Sequence, residues 1–269
     1  MARISGRPGG VASSVGVGCA GHVGRDVQGP ELSGLLLGVR QRMEPTGAGE
    51  FVRLRRVAQL CSIHGSYGAS IVDLGGGEGN LSSLLRPDLR ANYVVLDHQA
   101  RGRGTRVIAN LGSLPIRDGS VDLLCLSDVL EHVQDDRAFL EHVLRAVRPG
   151  GTAIIHVPSG RRSPLSAVRR ELEVAERQDL QEFPHVRDGY DADDLVRLLL
   201  ESAPGSTGVS YPSFTSAQSL LADIDWLLWR KRWQWLRVVI WALVRLVHHD
   251  SPMPTSTASS GLAVVLKVA

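Results

Sequence analysis

The chain has 269 residues, 43% of them hydrophobic and 22% charged, with a formal net charge of +2. That composition suits one globular domain with a full core, and so small a net charge excludes a global pull toward nucleic acid. The cysteines, Cys19, Cys61 and Cys125, are odd in number and scattered, so neither a disulfide framework nor a zinc-ligand spacing emerges. A reducing cytoplasm is the simpler setting.

Residues 1–42 are rich in Gly, Ser and Val and lack periodicity, so this segment is expected to be disordered. Its apolar stretch, Val11–Ala20, is too weak for a signal peptide, and Met43 is an alternative start. The ordered domain is expected over 43–269. Phe51–Leu60 reads as a short amphipathic helix. A buried strand at 70–74 follows, then the turn Gly75-Gly76-Gly77-Glu78-Gly79-Asn80 and a helix from about 79 to 86, stopped by Pro87. Glycines let the turn adopt φ > 0 and approach a ligand closely, and a helix start offers free N–H groups to it. A dinucleotide fingerprint would need a third glycine at position 80, where Asn80 stands.

Tyr93–Asp97 is a second buried strand that ends in an acid, about 20 residues after the turn, where a carboxylate can accept hydrogen bonds from ribose hydroxyls. Val107–Leu111 reads as a third strand and Val121–Ser127 as a fourth. A helix at about 135–147 stops at Arg148-Pro149-Gly150-Gly151, and Thr152–Pro158 forms a fifth strand. Strands that alternate with helices argue a parallel sheet with helices on both faces, an α/β doubly wound, Rossmann-like fold. Ligands of such sheets bind beyond the carboxyl ends of the strands. Asp73, Asp97, Asn110 and Ser127 all fall at or near those ends, on four different strands.

The run Asp73-x-Gly75-x-Gly77-x-Gly79, the acid at Asp97, Leu130-Glu131-His132 after the fourth strand and the Pro-Gly-Gly before the fifth resemble the class I S-adenosylmethionine-dependent methyltransferases. The resemblance covers about residues 50–160 and the last strand, Leu262–Val268. It implies a sheet of about seven strands whose last strand runs antiparallel. It implies S-adenosylmethionine as cofactor, with Asp73, Gly75, Gly76, Gly77, Gly79 and Asn80 around its methionine part. Asp97 with the adjacent His98 would hold the ribose, Asn110 and Leu111 the adenine, and Ser127 and His132 would close the other side. The family has an Asp where this chain has Asn110; an amide can still meet the adenine amino group.

After the fifth strand, Arg161–Gln181 reads as a mixed-charge cover helix. Glu182–Tyr190 is dense in His, Arg and Tyr and precedes a helix at 192–202, which Asp191 could cap. His185, Arg187 and Tyr190 form either a substrate wall or a buried polar corner that fixes the loop. Methyl transfer needs little chemistry from the protein beyond alignment and exclusion of water. Where an acceptor hydroxyl must lose a proton, His132, His156 and His185 are the candidate bases. Metal-ligand spacing is lacking and no metal is expected.

All five tryptophans lie within 226–241. The window 226–247 carries Arg230, Lys231, Arg232, Arg237 and Arg245 and no acid. Read as one helix, it places Arg230, Lys231, Gln234, Arg237 and Arg245 on one side and Trp229, Trp233, Leu236, Ile240, Leu243 and Val247 on the other. This amphipathic insertion, expected over 213–250, would rest on an anionic membrane surface, pack on the protein's own body or another copy, or form a lid over an apolar substrate. The sequence thus points to a cytoplasmic methyltransferase, peripheral at the membrane, acting on a small-molecule or a lipid- or glycan-linked acceptor. The alternatives are a nucleotide-dependent oxidoreductase and a non-catalytic, cofactor-binding scaffold at the membrane.

Overall fold

Seven apolar runs pair into one sheet in a computed structural model that describes residues 47–99, 102, 104–160, 165, 168, 185–249 and 259–269. The expectation for 1–42 lies outside the described residues, as does nearly all of the helix expected over 161–181. The strands are β1 (Ile71–Leu74), β2 (Tyr93–Asp97), β3 (Thr105–Ile108), β4 (Val121–Ser127), β5 (Val147–Pro158), β6 (Thr207–Pro212) and β7 (Gly261–Lys267), in the order β3-β2-β1-β4-β5-β7-β6. The first five run parallel, and β7 lies antiparallel between β5 and β6. The expected doubly wound sheet, with its antiparallel last strand, is the one observed.

Alternation along the strands divides the core between two faces. Val72, Leu74, Leu124, Leu126, Ile155 and Val264 face the helices α3 (Asp136–Leu144) and α4 (Ala192–Ser202). Ile71, Val95, Leu123, Cys125, Ile154 and Val265 face α1 (Ala48–His64), which contributes Leu54, Val57, Leu60 and Cys61. Cys61 and Cys125 are buried free thiols in this layer. The register pairs Leu74 with both Leu96 and Leu126, so Gly75, Asp97 and Ser127 reach one rim of the sheet together.

Several elements differ from expectation. The helix expected over 79–86 is a 3-10 segment, Asn80–Leu84, followed by the one-turn α2, Pro87–Arg90. The hydroxyls of Ser82 and Ser83 donate to the carbonyls of Gly79 and Asn80 at 2.7 and 2.8 Å, and such local bonds compete with an α-helical ladder. The third strand starts two residues earlier and ends three residues earlier than expected. Asn110 Oδ1 accepts from Gly112 N at 2.9 Å, and this Asx turn leaves Asn110 and Leu111 beyond the strand. The Pro-Gly-Gly run does not precede β5 but bulges within it. Val147 pairs with Val121 and pairing resumes at Thr152 with Leu123, while Gly150, at φ 74°, donates its N–H to Val268 O at 2.9 Å. Asp191 occupies the N-cap position of α4 without a side-chain cap bond.

The insertion is not one helix. α5 (Ser216–Arg230) starts with a capping box between Thr215 and Gln218, and α6 (Gln234–His249) follows after a break at which Arg232 has φ 60°. The break turns the second half of the wheel, so Arg237 leaves the basic face. Its guanidinium forks onto Asp225, Nε–Oδ1 at 2.8 Å and Nη2–Oδ2 at 3.1 Å, and Asp225 Oδ2 also accepts from Ala48 N at 2.8 Å. Trp241 and Val244 of α6 pack with Phe214 onto Ala48 and Val52 of α1, a third apolar cluster.

Candidate active site

The glycine turn is shaped by its neighbours as much as by its own residues. Gly75, Gly77 and Gly79 take φ 68°, 52° and 76°, in the left-handed region. A Cβ on Gly75 would meet Val129 Cγ2 at 2.4 Å, and one on Gly76 would meet Asp73 Oδ2 at 2.5 Å. Those close approaches leave room only for glycine. Gly77 N donates to Asp97 Oδ2 at 2.9 Å, and Gln99 N to Asp97 Oδ1 at 3.0 Å. Asp97 therefore ties the end of β2 to the turn after β1. His98 places Nδ1 3.1 Å from Asp97 Oδ1 with half its side chain exposed. From β3, Arg106 Nη1 donates to Gly77 O at 2.7 Å.

Asp73 does not reach the rim. It is 3% exposed, accepts from the Tyr93 hydroxyl, and burial pushes its carboxyl up to about 6 against the lowering effects of that bond and of Arg53. Asn80 directs its amide at Glu50 of α1, Nδ2–Oε1 3.3 Å. Leu111 packs against the core near Gly75, whereas Asn110 is exposed.

At the end of β4 the chain makes a bend that the sequence does not advertise. Asp128 has φ 52°, uncommon for a residue other than glycine. Two partners hold it there: Arg53 of α1 binds Oδ2, and His156 Nδ1 lies 2.8 Å from Oδ1. Burial lowers Arg53 from its ordinary value, while Glu50, Glu131 and Asp73 pull it back. His156 is 3% exposed, and burial, then Arg53, holds its pKa well below the ordinary range. It stays neutral and donates from Nδ1, which suits a brace for Asp128 better than a proton acceptor. A 3-10 turn, Leu130–His132, follows. Within it Glu131 is 1% exposed, and burial raises its carboxyl to about 7. Ser127 Oγ is buried without a hydrogen-bond partner.

The loop at 185–190 lies against this turn. Val186 N donates to Glu131 O at 2.8 Å. Arg187 binds Asp136 and the Tyr190 hydroxyl, and its Nη2 donates to Val133 O and Gln134 O at 3.0 and 3.1 Å. The Tyr190 hydroxyl also donates to Asp136 Oδ2 at 3.0 Å. Within this network Arg187 is partly buried and Tyr190 is buried. His185 is exposed, and its ring meets that of His132 edge-on at 4.5 Å.

The structure thus gathers Gly75–Gly79, Asp97, Leu111 and Ser127 at one rim, and sets His185 beside His132. Sequence reasoning missed Arg53, Asp128 and Glu131. Glu131 is the middle residue of the quoted Leu-Glu-His motif and Asp128 stands two residues before it, and a charged residue inside the apolar stripe of α1 was the available signal for Arg53.

Comparison with known proteins agrees with this geometry. A family model described as a methyltransferase domain matches residues 49–238. A Mycolicibacterium smegmatis protein named as an S-adenosylmethionine-dependent methyltransferase is 31% identical over 158 residues, 53% of this chain and 58% of that one. An uncharacterised methyltransferase of Mycobacterium sp. strain JLS is 36% identical over 98 residues, 33% of this chain and 38% of that one. The chain therefore spans less than two thirds of the length of either relative. Among solved structures, an S-adenosylmethionine-dependent methyltransferase of Thermotoga maritima matches with a TM-score of 0.52 at 13% identity, covering 87% of this chain and 97% of that one. The cyclase SpnF matches with the same TM-score and identity, covering 80% and 81%. These two likenesses establish the fold, and the cyclase shows that this fold hosts more than one reaction. No finding supports the oxidoreductase alternative. With the family model spanning most of its length, the chain belongs to the methyltransferase-domain family of class I S-adenosylmethionine-dependent methyltransferases, whose cofactor is S-adenosylmethionine.

Proposed function

We propose that this protein transfers the methyl group of S-adenosylmethionine to a small-molecule or lipid-linked acceptor. The observation that carries the reading is the bond from Gly77 N to Asp97 Oδ2, which pre-orders the glycine turn against the acid at the adjacent strand end. On this reading the turn at 75–79, with Asn80 beside it, receives the methionine part and Asp97 with His98 the ribose. Asp73 holds the turn from below through its packing under Gly76. Asn110 and Leu111 border the adenine. Ser127 and His132 close the far side, from which the acceptor would enter past His185.

The chemistry asked of the residues is modest. The sulfonium carries its own leaving group, so the site aligns acceptor, methyl carbon and sulfur and excludes water. Of the three candidate bases, His132 and His185 lie where an acceptor would enter, whereas His156 is buried and held by Asp128.

The insertion supports an apolar or lipid-linked acceptor. Trp229, Trp233, Trp235, Val238, Val239 and Leu246 are exposed, with Lys231, Arg232 and Arg245 among them. Tryptophan with flanking cations suits the interface of an anionic bilayer. Among the described residues no helix is long and apolar enough to cross a membrane, so the contact would be peripheral.

Titration calorimetry with S-adenosylmethionine, S-adenosylhomocysteine and NADH, one at a time, tests the first part. Binding of the first two without NADH is expected; a folded sample that binds neither overturns the reading. For the second part, replacing Trp229, Trp233 and Trp235 with Ser should reduce sedimentation with anionic liposomes. Failure of the parent chain to bind them would remove the membrane surface as a partner.

A further inference from the structure

We propose that Glu131, His132 and His185 form a site for a divalent first-row transition-metal cation on the acceptor side of the rim. One ligand atom from each of the three lies within 4.8 Å of the others. Two imidazoles and one carboxylate are a donor set that holds such cations with positions left open for a further ligand. Bonds of about 2.0–2.2 Å in tetrahedral geometry would bring the ligand atoms to roughly 3.4 Å of one another. The gap is within reach of side-chain rotation, because His185 is exposed.

A second observation points the same way. Glu131 is 1% exposed, and its Oε2 has no hydrogen-bond partner. A buried carboxylate oxygen without a donor is costly and uncommon, and a cation would satisfy it. The scaffold around the three residues is already fixed. Val186 N binds Glu131 O beside His185, and Arg187 clamps the same loop to Val133 O and Gln134 O. Ligands supported in this way lose little freedom on binding a metal. The sequence conceals the site because one ligand comes from a distant loop, so no local spacing betrays it.

Cation binding stands on this geometry alone. Its use in catalysis, to ligate and orient an acceptor oxygen, rests on the methyl-transfer reading. The full chain, without a histidine tag and stripped by chelator, is titrated with Co2+ by visible absorption and with Zn2+ by calorimetry. One equivalent of each should bind, with cobalt bands of a nitrogen and oxygen site. His185→Ala, at an exposed position, should weaken binding at least about tenfold, with an unchanged circular dichroism spectrum and unchanged S-adenosylmethionine affinity. His132→Ala and Glu131→Gln should do the same to the metal. No binding by the parent, or equal binding by parent and His185→Ala, overturns the site. S-adenosylmethionine titrated in parallel separates the two claims. A chain that binds cofactor but no metal refutes only the cation site. A chain that binds metal but no cofactor supports the site and refutes the methyl-transfer reading.

Discussion

The glycine turn and the helical insertion are held in place by different means. The turn is held by backbone conformation and one hydrogen bond: a strand, three glycines at positive φ and an acid at the next strand end, with Gly77 N donating to Asp97. The insertion is held by the buried ion pair Asp225–Arg237, with Ala48 N as a third partner, and by a small apolar cluster around Trp241. The first region therefore tolerates few residue types at a few positions. The second depends on a contact whose members are far apart in sequence and carries most of its other apolar side chains outward.

The largest expected effect breaks the insertion alone. Asp225→Ala strips Arg237 of its partner at a position only 12% exposed, and removing one member of a buried pair costs about 3–5 kcal/mol. Chemical denaturation should show that loss, while cofactor affinity should fall far less than stability. Equal loss of both would mean that the two regions are one cooperative unit around α1.

Gly75→Ala breaks the other region. Positive φ costs about 1–2 kcal/mol for an alanine, and the contact with Val129 Cγ2 adds overpacking of about 1–3 kcal/mol. Stability should fall by the sum of these and S-adenosylmethionine binding should be lost. An alanine variant that binds like the parent would show that the turn does not need glycine at this position.

Asp97→Ala is a milder probe of the same region. Loss of hydrogen bonds to a charged group is worth about 1.5–3 kcal/mol, so calorimetry should show cofactor affinity lowered roughly ten- to a hundredfold. Stability should fall as well, since Asp97 is buried and accepts from Gly77 N and Gln99 N; unchanged affinity would remove it from the ribose site.

The smallest effect is a pH slope. The Asp73 carboxyl is pushed from an ordinary 3.8 to about 6 in the folded chain. Between about pH 4 and 6 the folded state therefore binds more protons than the unfolded one, and stability falls as pH rises. The favourable contribution is complete below the unfolded value and gone above the folded one. Urea melts of parent and Asp73→Asn across that window should converge on a variant lacking this slope. Parallel slopes would mean that Asp73 titrates in the ordinary carboxylate range.

Most of the rim formed by the strand ends was legible in the residues. Ile71–Leu74, Tyr93–Asp97 and Val121–Ser127 are short apolar runs, the pattern of strands buried on both faces of a parallel sheet. Boundaries were less legible where local bonds intervene, as with the serines that tighten 80–84 and the Asx turn that shortens β3. Arg187 and Tyr190 were singled out as substrate candidates, yet their polar atoms bind Asp136 and nearby backbone.

By itself the sequence determined the fold class, the place of the glycine turn and the acid at Asp97, because these follow from periodicity and spacing within one stretch of chain. Only the tertiary structure decided that the tryptophan segment is two helices with Arg237 turned inward, that Arg53 and His156 brace Asp128, and that Glu131 and His132 meet His185. Those are meetings of side chains from distant elements. Periodicity along one element reports which face is apolar, but not which charged group from another element will face it.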